Sequence, residues 1–519
     1  MPQPKAFFRS LILAGTAALT ACAPVGPNFT RPNSPVFDNW LAANSHAPGG
    51  DGLTARSAPV IDWWRTFHDP TLDNLVAKAY AQNLDLQIAG ARVLQARAQL
   101  GIAFGGLFPQ SQSVGARTSR RRISENIGPI EDIRRVTDLN VTYGTTDIGF
   151  DATWELDVWG RARRGVEAGR ANLATQVANY DDALVTLTGD VAAVYINIRA
   201  LQETVALARR NITLQQESLD LTQLRFNNGV TTELDVEEAT TLLSNTKALL
   251  PGLQSELEQS KNALAVLLGQ VPNSLDGTLG NSGRIPAASG SVAVGVPAEL
   301  LRRRPDIRAA EFEAATQSAE VGIALSDLYP QFILSGTIGL QASAGNTLFE
   351  AASGTGLASA GVVWNVLNYG RIQDNVRAQD AAFQALVANY QNTVLNAYAE
   401  AENATVAYTN SRRTAALYRD SVTASKRAAD IALTQYTDGA ADYSRVVDAQ
   451  ENLLGAEANL VQARAEVSNN LVALYKALGG GWQIRAGQPF LPDQVLAEMA
   501  YRTDWGDLLV EDPTGMSLN

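Results

Sequence analysis

The sequence is short of the side chains that most metal sites and many enzymes need. Its 519 residues include only two histidines, His46 and His68, and one cysteine, Cys22. Zinc sites, disulfide frameworks and Cys/His nucleophile systems each require several such residues together. These classes are excluded, and we assign no catalytic residue, metal ligand or cofactor-binding residue. Any chemistry would have to come from carboxylates or hydroxyls.

The sequence also lacks an excess of positive charge. It carries 41 basic and 53 acidic residues, a formal net charge of −12. Proteins that bind nucleic acid without sequence preference neutralise its phosphates with clustered lysine and arginine. We therefore expect no nucleic-acid partner.

The N-terminus has the pattern of an export signal. Residues 1–21 contain Lys5 and Arg9, followed by an apolar stretch too short to span a bilayer. The four residues that end at Cys22 (LTAC) resemble a bacterial lipobox, which implies cleavage before Cys22 and acylation of this cysteine. The alternative is an ordinary signal peptide with an incidental cysteine. Under the sorting rule for such lipoproteins, Ala23 in the next position indicates the outer membrane.

The sequence contains an internal repeat. Residues 98–110 recur as 319–331, an offset of 221, whereas from Trp154, which aligns with Trp364, the offset is 210. This change places eleven extra residues between Pro109 and Trp154. Because repeated sequence indicates repeated structure, we expect two copies of one architecture, with the insertion confined to one loop.

Each copy contains segments of alternating polarity. Residues 147–158 alternate apolar and polar side chains, and 334–342 and 358–367 repeat the alternation, while a less regular segment runs from Pro109 to about Arg120. The pattern predicts strands with one apolar and one polar face. A half-buried globular sheet would give the same alternation. A lipidated protein without an 18-residue apolar run favours a transmembrane β-barrel instead.

The predicted strands are too few to close a barrel within one chain. Each chain supplies four, and the smallest membrane barrels have about eight. Two copies would give a filled barrel, whereas three would give twelve strands around a lumen. We expect the trimer, with the dimer and the tetramer left open by this arithmetic.

The predicted helices are unusually long. Segments 161–226 and 371–436 contain no proline, and about 66 residues of helix form a rod of roughly 100 Å. Shorter return helices at 232–268 and 442–478 carry a heptad of apolar residues that a ring of helices from several chains would bury. Pro251 should kink the first of them. The heptad positions are Leu243, Leu250, Leu257 and Leu264, then Leu453, Leu460, Val467 and Leu474.

These elements give a domain plan for the whole chain. The plan is a signal peptide at 1–21, a lipidated tether and collar segment at 22–70, a first repeat at 71–297, a second repeat at 298–479, and a C-terminal collar or tail at 480–519. Within the first repeat we expect a leading helix at about 71–105 and strands within about 109–158. Within the second we expect a helix at 298–328 and strands within about 330–367.

Several motifs carry a family resemblance. They are WWRTFHDP at 63–70, NLDL at 83–86, LLRRRPDIRAAE at 300–311, and the paired turns around Gly229 and Gly439. With these motifs the chain resembles the TolC family of outer-membrane channels, specifically the OprM/NodT-type lipoproteins of tripartite efflux systems.

The resemblance covers the chain from Cys22 to about residue 482 and implies a fold and a function. The fold is an α+β membrane protein: a homotrimer with a twelve-strand barrel, four strands per chain, continued by a twelve-helix periplasmic tunnel with an equatorial collar. The function is a passive exit duct for small molecules such as drugs, with a periplasmic adaptor and an inner-membrane RND-type transporter as partners and no enzymatic activity. The alternatives are a type I protein secretion component and a lipid-anchored periplasmic coiled-coil scaffold.

The two helical turns are the candidate gate. Gly229 and Gly439 suit helix ends that need a positive φ, so the turns are first of all helical hairpins, and they are candidates for adaptor docking. Under threefold symmetry Asp438, Asp442 and Asp448 would form carboxylate rings around the axis.

The resemblance also implies a latch at these turns. A family tyrosine that bonds a carboxylate of the first turn corresponds to Tyr436, and the carboxylate corresponds to Asp235. A family arginine latch falls on Ala441 and is absent, while Arg445 stands where some members carry an aspartate. We expect Arg445 to pair with Asp448 or with an acidic residue of a neighbouring chain. A solvent-exposed helix pair is the alternative.

Two further motifs invite a functional interpretation that we do not favour. The arginines at 302–304 precede Pro305 and Asp306, which begin a helix, so we expect a solvated lead-in rather than an anion site. For the tryptophans at 63–64 we expect packing in the collar rather than a sugar platform.

Overall fold

The computed structural model divides the chain into two compact units. The first unit comprises 95–174 and 311–388 with the segment up to Arg31, and the second comprises 32–94, 175–310 and 389–519. The described residues are 23–33, 53–54, 61–124, 126–128, 130, 136–137, 141–280, 282–287, 292–293, 303–343 and 345–509.

The described part of the chain is mostly helical. Its α-helices are α1 (Pro70–Gln82), α2 (Leu84–Gly105), α3 (Arg161–Asn227), α4 (Glu233–Leu267), α5 (Asp276–Leu279), α6 (Pro305–Ser326), α7 (Arg371–Thr437), α8 (Tyr443–Ala477) and α9 (Asp493–Arg502). Its strands are β1 (Leu53–Thr54), β2 (Ser111–Arg122), β3 (Thr142–Leu156), β4 (Val292–Ala293), β5 (Gln331–Ala342) and β6 (Gly354–Val363). Short 3₁₀ turns lie at Trp63–Phe67, Gly345–Thr347, Ala351–Ser353, Trp482–Arg485 and Gly506–Leu509.

Equivalent helices in the two copies of the repeat have the same length. Both α3 and α7 have 67 residues, both α4 and α8 have 35, and both α2 and α6 have 22. The long helices begin at equivalent residues, Arg161 and Arg371, and each is preceded by a glycine with positive φ. Each of the four long helices lies within one residue of its expected bounds. The helix α4 continues through Pro251, which lies inside it.

The leading helix of the first copy differs from the expectation. Instead of one helix over about 71–105, the structure has α1 and α2 with a break at Asn83. The Asn83 side chain accepts a hydrogen bond from the backbone N–H of Leu86 at 2.8 Å and donates one to the carbonyl of Leu267 at 2.9 Å. The break therefore caps the start of α2, which is what an asparagine at this position favours.

Four strands form one antiparallel sheet in the order β2-β3-β5-β6. The register aligns Val114 with Phe150 and Phe150 with Ile338, so apolar side chains collect on one face. The opposite face is polar, and there Thr337 donates a hydrogen bond to Asp151 at 2.7 Å. The predicted alternation is present in β3, β5 and β6, whereas β2 is less regular, as expected; β2 and β6 are the two edges. Strands β1 and β4 form a separate two-residue parallel pair in the second unit.

The insertion is not confined to a loop. The connection 123–141 between β2 and β3 is longer than the connection 343–353 between β5 and β6, and β3 has 15 residues against 10 in β6. The expectation of a loop insertion was wrong in this respect, because part of the extra sequence lengthens a strand.

Residues 25–28 are attached to the end of the sheet. The N–H of Val25 donates to the carbonyl of Trp159 at 2.9 Å, just beyond the end of β3. The buried guanidinium of Arg164 donates to the carbonyl of Val25 at 3.1 Å, the carbonyl of Gly26 at 3.0 Å and the side chain of Asn28 at 3.0 Å. Residues 25–28 are therefore fixed at the helix end of the sheet rather than extended away from it.

Among the described residues one helix, α3, has a stretch apolar and long enough to cross a membrane. The expectation of a chain without an 18-residue apolar run was therefore wrong for α3. About two thirds of this stretch, 67%, is buried within the protein, as in the core helix of a folded domain.

Candidate functional site

The two predicted turns have the same backbone geometry. Gly229 has φ 72° and Gly439 has φ 74°. After α3 the N–H of Val230 bonds to the carbonyl of Arg225 at 2.9 Å, and after α7 the N–H of Ala440 bonds to the carbonyl of Gln435 at 2.8 Å. This is the six-residue closure of a Schellman motif, which satisfies the last carbonyls of a helix. The expected positive φ is confirmed at both glycines.

A buried cluster joins the ends of these helices. Tyr436 on α7 and Tyr443 on α8 are 3% and 1% exposed, and their rings meet edge to face with centroids 5.0 Å apart. The hydroxyls of Tyr443 and Ser218 on α3 share a hydrogen bond of 3.0 Å. Burial raises the pKa of the Tyr443 phenol, so this hydroxyl stays protonated over the physiological range. The remaining buried members of the cluster are Ala239, Ala432 and Val446.

The implied contact between Tyr436 and Asp235 is made through a third residue. The Tyr436 hydroxyl donates to the hydroxyl of Thr231 at 3.4 Å, and the Thr231 hydroxyl donates to a carboxylate oxygen of Asp235. The second carboxylate oxygen accepts from Thr232 at 3.1 Å. The direct bond implied by the resemblance was therefore wrong, and a threonine connects the two residues.

Arg225 is a second link between the turns. Its guanidinium donates to the carbonyl of Thr437 at 2.8 Å and lies over the ring of Tyr436, 4.8 Å from the centroid. One cation therefore binds both a carbonyl at the C-terminus of α7 and the face of an aromatic ring, and both contacts favour positive charge.

The expected pairing of Arg445 with Asp448 is absent. Within the described part of the chain these side chains form no ion pair, although both are exposed and line the same open cavity of about 780 Å³. The backbone N–H of Arg445 bonds to the carbonyl of Asp442 at 3.3 Å. The two side chains are exposed, so the expected pairing of Arg445 with Asp448 was wrong for the single chain.

The other predicted carboxylates are exposed at the second turn. Asp438 follows the end of α7, and Asp442 precedes the first residue of α8 without a side-chain capping hydrogen bond. The structure thus brings Tyr436 and Asp235 together through Thr231, and leaves Asp438, Asp442 and Asp448 at the surface.

Sequence reasoning missed four contributors, Ser218, Arg225, Thr231 and Tyr443. A usable signal was the difference between the two copies. At the offset of 210, Tyr443 aligns with Glu233 and Arg225 aligns with Gln435. Each of these residues therefore occurs in one copy of the repeat and not in the other.

The arginine run is solvated as expected at Arg303, which is exposed, but not at Arg304. Arg304 is 8% exposed and forms a bidentate pair with Asp306 at 2.8 and 3.1 Å. It also donates to Glu400 and to the carbonyl of Ala477, both at 2.7 Å. The expectation was wrong for Arg304 because its partners lie about 100 and 170 positions along the chain. Arg302 lies outside the described residues.

The paired tryptophans pack as expected. Trp63 and Trp64 are 2% and 5% exposed, and Trp63 stacks on Tyr475 with centroids 5.4 Å apart. The adjacent Asp69 caps α1 and accepts a hydrogen bond from the hydroxyl of Tyr195 at 2.7 Å. Neither tryptophan offers a face to a ligand.

A cavity of about 590 Å³ lies beside Arg304, lined in part by Asp182, Glu400 and Lys476. Burial, reinforced by the negative charge of Asp306, raises the pKa of Asp182 to about 6. In the described ranges no group of three or more His, Cys, Asp or Glu residues could hold a metal ion. Cys22 lies outside the described residues.

Comparison with known proteins identifies the class. The family model for outer membrane efflux proteins matches residues 75–270 and 296–480. The pyoverdine export outer membrane protein OpmQ of Pseudomonas putida is 33% identical over 427 residues, which cover 81% of this chain and 88% of that protein. Nodulation protein T of Rhizobium leguminosarum bv. viciae is 30% identical over 424 residues, 81% of this chain and 84% of that protein.

Solved structures show the same fold. The outer-membrane channel OprN superimposes with a TM-score of 0.82 at 32% identity, over 88% of this chain and 99% of that one. The Campylobacter jejuni CmeC outer membrane channel superimposes with a TM-score of 0.80 at 23% identity. The chain therefore belongs to the outer membrane efflux protein family, and the resemblance inferred from its motifs is confirmed. It is an outer-membrane efflux channel protein, and its family is one of transport components.

Proposed function

We propose that three copies of this chain assemble into the exit duct of a tripartite efflux pump. The observation that carries the proposal is the open four-stranded sheet, with an apolar face exposed at Val114 and Ile338 (79% and 68%) and unpaired edges at β2 and β6. An isolated sheet of this kind would aggregate through its edges, whereas twelve strands from three copies would close a barrel. The apolar face would then contact lipid, and the polar face with Asp147 and Asp151 would line a water-filled lumen.

The partners follow from the passive character of such a duct. Energy and cargo selection come from an inner-membrane RND-type transporter, and a periplasmic adaptor joins that transporter to the turns around Gly229 and Gly439. The cargo is a class of small molecules such as drugs, and the duct performs no catalysis. Pyoverdine and toluene are named for two relatives, which supports small organic cargo here.

Lipidation at Cys22 would anchor each chain to the inner leaflet of the outer membrane. Val25, three residues on, is bonded to Trp159 at the helix end of the sheet. Three residues span at most about 11 Å, so acyl chains on Cys22 would enter the membrane beside the barrel, on its periplasmic side. Mass spectrometry of the mature N-terminal peptide should detect the acyl groups, and an unmodified Cys22 would contradict this assignment.

The turns around Gly229 and Gly439 form the periplasmic gate in this proposal. The contacts of Arg225, Thr231 and Tyr436 join the two hairpins of one chain, while the exposed Arg445 is free to pair with a carboxylate of the next chain. Rings of Asp438, Asp442 and Asp448 at a threefold axis would attract cations and repel one another in the closed state.

Single-channel conductance in planar bilayers tests this gate. The double variant Asp235→Ala/Arg445→Ala should conduct several times more than the wild type, because both links are removed. Asp374→Ala/Arg377→Ala is the matched control, since it removes an exposed ion pair from the first unit. Unchanged conductance of the first variant, or an equal rise in the control, would remove both residues from the gate.

A further inference from the structure

The two copies of the repeat meet within one chain at an aromatic pair. Trp159, which follows β3 of the first copy, stacks on Tyr329, which precedes β5 of the second copy. The ring centroids are 4.5 Å apart with an interplanar angle of 24°, and the indole N–H of Trp159 donates to the carbonyl of Pro330 at 2.7 Å. The pair therefore lies where the last strand of one copy adjoins the first strand of the other.

The repeat contains an equivalent of each ring in this pair. The offset of 221 aligns Tyr329 with Phe108, and the offset of 210 aligns Trp159 with Tyr369. The backbone is equivalent as well, because the N–H groups of Phe108 and Tyr329 each bond to the carbonyl three positions earlier, at 3.2 and 3.1 Å. Trp159 and Tyr369 each precede a glycine with positive φ, 82° and 86°. Phe108 and Tyr369 thus occupy the two positions of a stacked pair.

Within the part of the chain that the structure describes, Phe108 and Tyr369 do not form this pair. Phe108 is 65% exposed and Tyr369 is 99% exposed. The two residues belong to opposite edges of the sheet, since Phe108 precedes the edge strand β2 and Tyr369 follows the edge strand β6. Tyr369 also has φ 52°, a conformation that large side chains rarely adopt and that the equivalent Trp159 does not. A single chain therefore leaves one exposed ring at each edge.

The end of β6 lacks a neighbour that the end of β3 has. In each copy the first strand, β2 or β5, pairs with the second only as far as Thr153 or its equivalent Val363. In the first copy residues 154–156 continue to pair with β5. Their equivalents at 364–366 pair with no strand in the described ranges, and Trp364 is 56% exposed. The second copy thus ends in a stretch that has room for a further first strand beside it.

We propose that Tyr369 of one copy of the chain stacks on Phe108 of the next copy, so that each contact between chains repeats the aromatic pair found within the chain. The inference rests on the proposed function, because it requires β6 of one copy to lie beside β2 of another. A trimer would then carry equivalent pairs around the whole barrel, alternately within a chain and between chains.

The contact between chains would be aromatic alone. Within the chain Arg161 forms an ion pair with Asp327 near the stack, but the equivalent of Asp327 at the offset of 221 is Gly106. Stacked rings contribute more than the area that they bury, and salt does not screen this contribution as it screens an ion pair. High salt should therefore leave this contact between chains intact.

Cross-linking of introduced cysteines in the purified full-length protein tests the contact. The background is Cys22→Ala, which removes the only native thiol. Phe108→Cys/Tyr369→Cys, treated with the short thiol reagent dibromobimane, should yield covalently joined chains on a denaturing gel. The matched control is Phe108→Cys/Phe349→Cys, in which both replaced rings are exposed. Phe349 follows the far end of β5, about 40 Å away along the strand, so this variant should yield no joined chains.

The pair within the chain calibrates the reaction. Trp159→Cys/Tyr329→Cys should be joined within a single chain, which mass spectrometry detects as one bimane per chain without covalent oligomers. The two cysteines are equally spaced in both pairs if the contacts are equivalent, so similar yields are expected.

The rate of trimer dissociation in detergent gives a second readout. Tyr369→Ala should raise this rate roughly fivefold, the factor that one aromatic pair contributes. Tyr369→Trp introduces the residue type of the equivalent Trp159 and should dissociate like the wild type. Phe349→Ala, which removes an exposed ring at the other end of the sheet, should also leave the rate unchanged.

The outcomes separate this contact from the proposed duct. The particle mass of every variant is measured by light scattering before cross-linking. Joined chains in Phe108→Cys/Tyr369→Cys alone support the contact. Trimers whose chains are not joined overturn it and leave Tyr369 facing lipid headgroups, and equal joining in the Phe349 control would show random collision and overturn it as well.

Two further results are also decisive. If the introduced cysteines themselves dissociate the trimer, the rates of Tyr369→Ala and Tyr369→Trp decide, and equal rates overturn the contact. A single chain in the Cys22→Ala background overturns the proposed duct instead.

Discussion

The carboxylate of Asp181 is fully buried, and two arginines, Arg485 and Arg308, provide its ionic contacts. Arg485 donates to it at 2.6 and 3.2 Å, and Arg308 lies at 3.5 Å. A buried charge is stable only while its partners stay in place. Arg485 belongs to the 3₁₀ turn after α8, so this pair attaches the C-terminal segment to α3.

Loss of this attachment has a predictable cost. Arg485→Gln leaves Asp181 with its longer contact alone and should lower the free energy of unfolding by about 3 kcal/mol. Chemical denaturation in detergent measures the change. Arg502→Gln, an exposed residue at the end of α9, should change the stability by less than about 0.5 kcal/mol. Equal effects of the two substitutions would contradict the role assigned to Arg485.

The raised pKa of Asp182 predicts a pH dependence of stability. The pKa is about 6 in the folded chain against 3.8 for the free side chain, because of burial and the nearby Asp306. Between these values the folded state binds more protons than the unfolded state, so stability falls as the pH rises from about 4 to about 6. Asp182→Asn should remove this part of the slope and stabilise the protein at pH 7.

Unfolding midpoints measured at pH 4.5 and pH 7 test this prediction. Asp504→Asn, which replaces an exposed carboxylate, serves as the control and should leave the slope as in the wild type. If the stability of Asp182→Asn depends on pH as strongly as that of the wild type, Asp182 is not the group that binds the extra proton in the folded state.

At the scale of the element, the glycines of the turns and of the helices should respond in opposite directions. Gly229 and Gly439 have positive φ and open space around an added Cβ, so alanine there costs about 1 kcal/mol of backbone strain. Gly252 lies inside α4, also with open space, and alanine there should stabilise by about 0.5–1 kcal/mol. Thermal unfolding of the three single variants gives the signs, and stabilisation by Gly229→Ala would contradict the turn geometry.

The long helices could be predicted from the sequence because their signals are local. Proline-free stretches bounded by Gly160 and Gly229, and again by Gly370 and Gly439, define bounds within one residue of those observed. The break at Asn83 was not predicted, although an asparagine that caps the following helix is also a local signal.

The contacts between distant elements could not be predicted in the same way. The buried Arg304 donates hydrogen bonds to Glu400 and to the carbonyl of Ala477, and no local sequence pattern indicates either partner. The Thr231 link in the candidate gate likewise depends on Tyr436, 205 positions away. Such contacts are set by tertiary packing, which spacing within one segment does not encode.

At the scale of the whole molecule, the sheet explains why one chain is insufficient. Strands β2 and β6 each leave an unpaired edge, and the apolar face between them has no partner within the described residues. A membrane barrel has no edges, so in the proposed duct β6 of one copy would pair with β2 of the next. Three copies would supply twelve strands, enough to enclose a water-filled lumen.

The mass and membrane retention of a Cys22→Ala variant test this central claim most directly. The variant is exported with a cleavable signal, the membranes are washed at alkaline pH, and the particle is weighed in mild detergent by light scattering. We predict a particle of three chains that resists the wash, because the barrel holds it in the membrane without acyl chains. A single chain released into the soluble fraction would contradict the duct and leave a lipid-anchored scaffold in its place.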